Sequence, residues 1–515
     1  MQNEENNKVE AKTNPKIYVG AVLGGIVVTT LVALLRGKQD SVITFYQSTG
    51  LLLLSLSLLV VIHEWGHYIT ARMFGMRVEK FYLFFDAWDV KLWSFTKNGT
   101  EYGIGWLPLG GYVKIAGMVD ENMDTSFLES APQPWEFRSK PAWQRLIVMT
   151  GGVIMNVILG IFILSLATYY YGEDKTPMAS VKYGIQVTNP RQEKAKDGTA
   201  KTVYPIAYLL GFRNGDELLS FKGESKPFLE DYAKINLLIE DGGYFDINRK
   251  GQKMKINIPL DAMNMLQSDS TDATKGLFDV NMLAKIQPVK TRDGKYVSMA
   301  LKAGLQAGDK ITKLDTTPIA SYTDIMNFTA HAKPYDSVYI SYERAGNSLT
   351  VALKLDSLGK MGIMPDSQML ASLIMPVEYG LFESFIPGTR KAFSIVSINI
   401  AAIGKLFKGQ LNPRKSMMGP VGMGQTMGNA FSLGGWRSFI FLTGAISMML
   451  AFSNIIPLPL PVLDGGHVMF LLYEWIRGKA APMKVFFIAQ NIGLFLVLGL
   501  MLFSFGNDLL RIFSK

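Results

Sequence analysis

The sequence predicts a polytopic α-helical membrane protein that carries a soluble α/β region in its middle. The chain has 515 residues, of which 48% are hydrophobic, and long uncharged runs lie towards both of its ends. Each long run has about the 20 apolar residues that a helix needs to cross a bilayer. Between residues 172 and 376 the composition changes to Lys, Asp, Glu and turn residues, which is typical of a soluble region.

Residues 1–40 are predicted to form an N-terminal tail and an anchor helix. Residues 17–35 carry no charged side chain, and this run is too long for the apolar core of a typical signal peptide. Because no small-residue cleavage motif follows the run, we expect an uncleaved anchor and not a signal peptide.

The second uncharged run, residues 41–62, opens a membrane core predicted to extend to residue 171. It leads directly into His63-Glu64-Trp65-Gly66-His67. Two histidines four residues apart lie on one face of a helix, about 6 Å from each other, which suits two ligands of a tetrahedral zinc ion. The chain contains no cysteine, so histidine and carboxylate side chains are the zinc ligands that it can offer.

Glu64 lies beside the two histidines of this motif. A carboxylate there can take a proton from a water molecule whose pKa a zinc ion has lowered to about 7. The pattern therefore predicts metal-assisted hydrolysis. The simpler interpretation is a set of polar residues that caps a helix at the membrane interface.

Residues 102–115 are predicted to form a strand, a Pro/Gly turn and a second strand. This segment is unusually apolar for a hairpin in solvent. Two interpretations stay open: a re-entrant hairpin that dips towards the zinc site, or a hairpin on the membrane surface. The many Lys and Arg residues around it predict that this loop lies on the cytoplasmic side.

Residues 146–171 form the third uncharged run, and Asn156 lies within it. An amide inside a bilayer is expected to face protein or a polar cavity. Asn156 is therefore predicted either to hold two helices together or to form a hydrogen bond near the zinc.

The soluble region contains a weak internal repeat. The pattern Gly-x-x-x-Gly-Asp, followed by a strand, begins at Gly211 and again at Gly304. The second copy continues into a Ser/Thr-capped amphipathic helix and an alternating strand, and these residues resemble a PDZ domain of the bacterial type. We expect a degenerate PDZ-like domain at residues 172–270 and a PDZ domain at residues 271–376. Peptide or protein C-termini are the partners that such domains imply.

Residues 377–437 are predicted to form an amphipathic interface helix and a loop. Within them, residues 393–404 are apolar but too few to cross a bilayer, so a peripheral helix is expected. Residues 438–515 complete the membrane core with two more uncharged runs, residues 438–463 and 485–507.

The first of these runs ends in Pro457, Pro459 and Pro461, which cannot continue a regular helix. We expect unwound backbone there at membrane depth, and such backbone usually lines a site. Asp464 follows, where it is able to be a third zinc ligand or the N-cap of the next helix, and both roles can coexist. His467 is predicted to pack beside the site or support it, not to bind the metal.

These motifs together resemble the site-2 protease family of intramembrane zinc metalloproteases, in the bacterial branch typified by the regulator of sigma-E protease. The resemblance covers most of the chain. Its parts are His63-Glu64-x-x-His67, Gly-Gly-Tyr-Val at residues 110–113, Gly152-x-x-x-Asn156, the tandem PDZ region, Met-Gly-Pro-Val-Gly at residues 418–422 and Leu-Asp-Gly at residues 463–465.

The resemblance implies that His63, His67 and Asp464 bind Zn²⁺ and that Glu64 is the general base. It also implies a multi-pass protein of the bacterial inner membrane. Its active site would lie near the cytoplasmic side and its PDZ region outside the cytoplasm.

The substrate implied by the resemblance is the transmembrane helix of a single-span protein, such as an anti-sigma factor. Such a helix must unwind before it is cut, and the segment around Tyr112 would hold it as an added strand. Gly111, Tyr112, Asn156 and Asn454 are the implied substrate-binding residues. Asn454 departs from the family pattern, because a Leu-Pro pair separates it further from Asp464.

Two functions of other classes also fit parts of the sequence. One is a catalytically inactive, membrane-anchored PDZ scaffold, and the other is a metal transporter. Glu64 argues against the scaffold, since a structural zinc needs no base. The net charge of +9 comes without a long basic patch interleaved with aromatic residues, so nucleic acid is not an expected partner. The expected partners are the lipid bilayer and transmembrane proteins.

Overall fold

The computed structural model describes residues 39–118, 130–194, 200–268, 271–272, 277–289, 298–455 and 463–513. The predicted anchor helix at residues 17–35 and the three prolines at residues 457–461 lie outside these ranges. The chain forms two compact units. The first comprises Met1–Tyr171, Tyr379–Val396 and Met417–Lys515, and the second comprises Gly172–Glu378 and Ser397–Ser416.

Within the described ranges, four helices are long and apolar enough to cross a membrane. This confirms the predicted polytopic α-helical class, with sheets between the helices that are consistent with PDZ-like regions. The four candidate spans are Val42–Met73, Ala142–Tyr171, Pro420–Ile455 and Met483–Arg511.

The first unit begins with a long helix, a four-stranded sheet and a second long helix. Helix α1, Gln39–Met73, continues well past the predicted run of residues 41–62, because the polar zinc motif stays helical. Helix α2 is Ala142–Tyr171. The strands between them are β1 Val78–Phe85, β2 Lys91–Lys97, β3 Thr100–Gly105 and β4 Leu107–Ile115, in the spatial order β2-β3-β1-β4.

The two strands predicted within residues 102–115 form as β3 and β4, but they do not pair with each other. Strand β1 lies between them, parallel to β3 and antiparallel to β4. The hairpin of this sheet joins β2 to β3. Its turn residues, Asn98 and Gly99, have φ angles of 51° and 76°, which suit a type I′ turn. The prediction that the two strands form a hairpin with each other is therefore wrong. The observed strand order places β4 at an edge of the sheet.

The second unit begins with a small α/β region whose core contains phenylalanine rings packed edge to face. Phe212 lies edge-on to Phe245 and Phe278, with ring centroids 5.3 and 4.7 Å away. Its strands are β5 Glu173–Lys175, β6 Ile185–Gln186, β7 Arg191–Lys194, β8 Ala200–Pro205, β9 Glu217–Phe221, β10 Tyr244–Arg249 and β11 Gln252–Asn257, and its helices are α3 Ile206–Leu209, α4 Leu229–Tyr232 and α5 Ala262–Leu266.

The rest of the second unit has its own core and a six-stranded sheet. The sheet is formed, in spatial order, by β18 Asn347–Lys354, β17 Ser337–Arg344, β15 Asp309–Leu314, β14 Lys285–Pro288 and β19 Ile363–Pro365, with β16 Thr317–Pro318 paired to β15. Its longest helix begins with a capping box of Ser321 and Asp324, as the predicted Ser/Thr cap requires. Three other strands, β12 Thr271–Asp272, β13 Asp279–Val280 and β20 Met375–Val377, pair with β8, β6 and β5 of the first α/β region. The helices are α6 Met299–Lys302, α7 Tyr322–Thr329 and α8 Ser367–Leu373.

The two cores of this unit carry the same buried ion pair at equivalent places in the repeat. Asp216 accepts two hydrogen bonds of 2.7 Å from the guanidinium of Arg249. Asp309 accepts two of 2.7 and 2.6 Å from Arg344. Each aspartate is the last residue of the Gly-x-x-x-Gly-Asp pattern, so the weak sequence repeat corresponds to a repeated structural element.

The chain returns to the first unit at Tyr379 and there begins a long helix that is not among the candidate spans. This helix, α9 Phe385–Phe407, contains the predicted peripheral segment at residues 393–404. Helix α11 begins well before the predicted run of residues 438–463 and has non-helical backbone at Gly435 (φ 57°, ψ −144°). The remaining helices are α10 Pro413–Ser416, α11 Pro420–Ile455, α12 Asp464–Arg477 and α13 Met483–Phe513.

Candidate metal centre

The two histidines of the zinc motif lie on one face of α1, one helical turn apart. Their Nε2 atoms are 3.3 Å from each other. His67 is buried and His63 is half-buried. The helix therefore presents two imidazole nitrogens to the same point, as the spacing in the sequence predicts.

Asp464, the first residue of α12, completes this group with a carboxylate oxygen. Its Oδ2 atom lies 3.1 Å from His63 Nε2 and 3.5 Å from His67 Nε2. Zinc bonds of about 2.0–2.1 Å in a tetrahedron would separate neighbouring ligand atoms by about 3.3 Å. The three measured separations surround that value, so this donor set fits a zinc ion. Among the described residues, His63, His67 and Asp464 form the group able to hold a metal ion.

The side of each imidazole that faces away from this point has its own partner. His67 Nδ1 lies 2.8 Å from the carbonyl oxygen of Val148 on α2. A carbonyl can only accept, so Nδ1 carries a proton and Nε2 of the neutral ring keeps its lone pair for a metal. Such an outer hydrogen bond fixes both the tautomer and the orientation of a metal-binding histidine.

His63 has the corresponding outer partner in Asn156, one of the predicted site residues. The Asn156 amide nitrogen lies 3.1 Å from His63 Nδ1, while Asn156 Oδ1 is buried with no donor among the described residues. The nitrogen and oxygen of an Asn amide are easily interchanged in assignment. Exchanging them places the oxygen of Asn156 opposite His63 Nδ1. His63 Nδ1 then donates to Asn156 Oδ1, and Nε2 is again left free for a metal. Ser447 of α11 donates to the backbone oxygen of Asn156 at 2.8 Å and so ties α11 to the same place on α2.

Glycines allow α2 to lie directly against the zinc motif. A Cβ atom at Gly152 would lie 2.7 Å from His63 Nε2 and closer still to His67 Nε2. A Cβ atom at Gly66 would overlap the backbone oxygen of Gly151. Gly152 lies against the metal donors, a placement that the sequence analysis missed. The available signal was a glycine one turn before Asn156 in a membrane run.

Strand β4 reaches α1 beside the catalytic candidate. A Cβ atom at Gly111 would lie 3.2 Å from Glu64 Cγ and 2.6 Å from Val60 Cγ1. Of the two interpretations left open by the sequence, this contact favours a strand that extends to the zinc motif. Gly111 therefore brings an edge of the sheet to the residues where chemistry is expected.

Tyr112, the next residue of β4, uses its side chain within the sheet. Its hydroxyl donates to Asp86 Oδ1 at 2.8 Å, and its ring stacks on Tyr82 with centroids 5.4 Å apart. Burial, together with the hydrogen bond to Asp86, raises the pKa of Tyr112 above its ordinary value. The side chain of Tyr112 is therefore held in place by its contacts with Asp86 and Tyr82.

The two remaining predicted residues lie at different distances from the metal donors. Asn454, near the end of α11, places its amide nitrogen 3.3 Å from His63 Nε2 and 3.4 Å from Asp464 Oδ2. His467 lies one turn after Asp464 and packs edge-on against Phe486 of α13, with ring centroids 5.5 Å apart. His467 thus packs beside the site, as predicted, and is not part of the donor group.

Comparison with known proteins gives consistent results over nearly the whole chain. A family model described as Peptidase family M50 matches residues 51–500. The regulator of sigma E protease of Haemophilus influenzae is 29% identical over 488 residues, which cover 91% of this chain and 100% of that protein. The regulator of sigma-E protease RseP of Escherichia coli is 28% identical over 487 residues, again 91% and 100%. The protein of that name from Salmonella typhimurium is 28% identical over 89% of this chain and 98% of its own.

Proposed function

The chain belongs to peptidase family M50, and from that premise we propose which residues of this intramembrane zinc metalloprotease act on its substrate. Family membership confirms the predicted enzyme class, the zinc cofactor and the resemblance to regulators of sigma-E protease. It also decides against the inactive scaffold and the metal transporter.

The donor group assigns His63, His67 and Asp464 as the zinc ligands of this proposal. A zinc ion held there would act as a Lewis acid and would lower the pKa of a bound water molecule to about 7. The imidazoles are oriented by Val148 and Asn156, and Gly152 leaves the space that the ligand atoms occupy. The observation that carries this assignment is the set of donor separations of 3.1, 3.3 and 3.5 Å.

Glu64 is the general base in this mechanism. It follows His63 directly in α1, and its Cγ atom faces Gly111 at the edge of the sheet. There it takes a proton from the water that attacks the scissile carbonyl. It then returns a proton to the leaving amide nitrogen as the C–N bond breaks.

The substrates of this protease are membrane proteins, and we propose that each is bound as an added strand on β4. Strand β4 lies at the edge of its sheet and pairs only with β1 among the described strands. Its backbone at Gly111 and Tyr112 would hold an unwound substrate segment, and Gly111 brings that segment beside Glu64. A substrate helix held in this way would be a single transmembrane span, such as that of an anti-sigma factor.

Two asparagines of the prediction receive different roles in this proposal. Asn156 orients His63, because one of its two amide atoms is engaged with the imidazole at 3.1 Å. Asn454 has its amide nitrogen within 3.4 Å of two donor atoms, which is a suitable position to bind the carbonyl oxygen of the bond that is cut.

The protein is a multi-pass membrane protein with four candidate spans. We propose the following orientation in the membrane. Lys and Arg enrichment after α1 supports a cytoplasmic loop, with the active site near that side of a bacterial inner membrane. The second unit would then be extracytoplasmic, as two PDZ-like domains proposed at residues 172–270 and 271–376. The packing supports a division of this unit into two domains, because Val280 belongs to the first core and Ala284 to the second. These two residues lie shortly after the proposed boundary between residues 270 and 271.

The test is cleavage of a tagged single-span substrate by the purified chain in lipid vesicles. Mass spectrometry should place the cut inside the transmembrane segment. Glu64→Gln keeps the size of the side chain but cannot accept a proton, so cleavage should fall by about 100- to 10,000-fold. Cleavage outside the bilayer segment, or normal cleavage by Glu64→Gln, would overturn the proposal.

A further inference from the structure

Helix α12 carries the third metal donor at its first residue, so the placement of the whole helix sets the position of that donor. Helix α11 ends at Ile455 and α12 begins at Asp464, so the described residues offer Asp464 no helical continuity with α11. The contacts that α12 makes further along its length therefore help to fix the position of Asp464.

The first of these contacts is apolar and lies on the same face as Asp464. Leu471, two turns later, is buried against a cluster that contains Ala71 of α1 and Val148 and Met149 of α2. Apolar packing of this kind sets the distance between helices, but it leaves rotation and sliding less restricted than a directional bond does.

The second contact is directional and joins α12 to the beginning of α2. The Glu474 carboxylate accepts a hydrogen bond from the Arg145 guanidinium, and their side chains are only 22% and 14% exposed. Glu474 lies ten residues after Asp464, about 15 Å along the helix. An ion pair at that end of α12 resists both rotation about the helix axis and movement along it.

Arg145 is itself held in place by two other groups. Its Nε atom donates to the backbone oxygen of Lys140 at 2.9 Å, and its guanidinium lies over the ring of Phe137 at 5.9 Å. The arginine is therefore a fixed anchor on α2 and not a flexible surface side chain.

The position of Arg145 on α2 links the two halves of the metal centre. Val148, whose carbonyl orients His67, follows Arg145 by three residues and lies within the same turn of α2. The turn that orients an imidazole on α1 is thus also the turn that anchors the helix carrying Asp464. We propose that Arg145 and Glu474 are a positioning pair that keeps the third donor in register with the two histidines.

The proposal rests on the assignment of Asp464 as a zinc ligand, and its test separates the two. The full-length chain is purified in lipid nanodiscs with zinc bound, and the rate of zinc release to a chelator is measured for each variant. Removing a group that supports a metal ligand typically weakens metal binding by about 10- to 100-fold. We expect Glu474→Gln and Arg145→Gln to accelerate zinc release by about that factor.

The matched control is Arg477→Gln, which removes an exposed charge from the last turn of the same helix and should leave zinc release unchanged. The double variant Arg145→Glu with Glu474→Arg rebuilds the pair in reverse and should recover most of the slow release. Recovery in the double variant also guards against simple misfolding of the single variants.

Three results would count against the pair. Wild-type zinc release in both single variants would overturn it, as would a double variant that releases zinc faster than either single variant. If Asp464→Ala itself releases zinc at the wild-type rate, the ligand assignment fails and the positioning role fails with it. Fast release from Asp464→Ala beside wild-type release from both Glu474→Gln and Arg145→Gln is the first of these results, and it would leave the ligand assignment standing and overturn the pair alone.

Discussion

The carboxylate of the metal centre lies in the first unit, named the membrane unit below, and the two buried carboxylates lie in the second unit, named the soluble unit below. The two kinds of carboxylate have different partners. Asp216 and Asp309 are each 1% exposed, and each receives an arginine guanidinium through two hydrogen bonds. Asp464 is 18% exposed and faces two imidazole nitrogens instead. One of these imidazoles, His67, directs its proton away from Asp464, towards Val148.

This difference separates a structural charge from a functional one. In the soluble unit the chain supplies the positive charge, so the buried ion pair is complete within the fold. In the membrane unit the chain directs lone pairs to one point, and the positive charge that they need is a metal ion. A structural carboxylate has its positive partner within the chain, whereas the carboxylate of the metal centre does not. This criterion separates the two kinds of carboxylate better than their burial does.

Among the three changes that test this difference between the two regions, the largest effect is expected from closing the space around the metal donors. Gly152→Ala places a methyl group within 2.7 Å of His63 Nε2, so α2 or the imidazoles must shift. A displacement of about 1 Å can lower a rate by about a hundredfold. Cleavage of a single-span substrate should fall by that order and zinc content should fall with it.

The control for this variant is another glycine in a spanning helix. A Cβ atom at Gly499 of α13 would meet no other atom within 4 Å, so Gly499→Ala should keep normal activity. Normal cleavage by Gly152→Ala would mean that the donors do not need the space this glycine leaves.

A smaller effect, on stability and not on chemistry, is expected from breaking a completed ion pair. Arg249→Gln leaves the buried Asp216 without its guanidinium, which should lower the unfolding free energy of the soluble unit by about 1–3 kcal/mol. Zinc content and cleavage of a substrate without a bulky soluble domain should remain normal. Thermal denaturation beside a zinc assay measures both, with Lys253→Gln on exposed β11 as the control. Loss of zinc from Arg249→Gln would remove the distinction between the two regions.

The smallest effect concerns a buried tyrosine whose partner is also supplied by the chain. Burial and then the hydrogen bond from its hydroxyl to Glu101 raise the pKa of Tyr82 to about 12. In the unfolded chain the tyrosine has its ordinary pKa of about 10. The difference between the folded and unfolded pKa values therefore contributes stability that is fully present below about pH 10. That contribution is lost as the pH rises from about 10 to about 12. Tyr82→Phe should remove this part of the alkaline loss of stability, measured as the denaturation midpoint against pH. An unchanged alkaline profile would show that Tyr82 ionises at its ordinary pKa.

The sequence predicted the parts of the site that depend on local spacing. His63, Glu64 and His67 lie within one turn and a half of helix, so their arrangement follows from helix geometry alone. Asp464 was recognisable because a carboxylate at the end of a proline-interrupted membrane run has few structural explanations. The four described spans were predicted for a similar reason, since length and lack of charge are local properties.

The parts that the sequence did not predict depend on distant or backbone groups. The oxygen that orients His67 belongs to the backbone of Val148, and a backbone group has no signature in a sequence. Arg249 lies 33 residues from Asp216, and Arg344 lies 35 residues from Asp309, so neither pairing follows from spacing. Strand β1 inserts between β3 and β4 because strand order is decided by tertiary packing, although the Asn98-Gly99 turn was a usable hairpin signal.

The most direct test of the central claim is zinc binding by the purified chain, measured by equilibrium dialysis and metal analysis. The wild type, Glu64→Gln and Asp309→Asn should each bind about one zinc ion per chain, because none of these changes removes a proposed ligand. His67→Ala and Asp464→Ala should bind zinc much more weakly, with Asp464→Ala retaining more because two imidazoles remain. If Asp464→Ala binds zinc as tightly as the wild type, the His-His-Asp metal centre is contradicted.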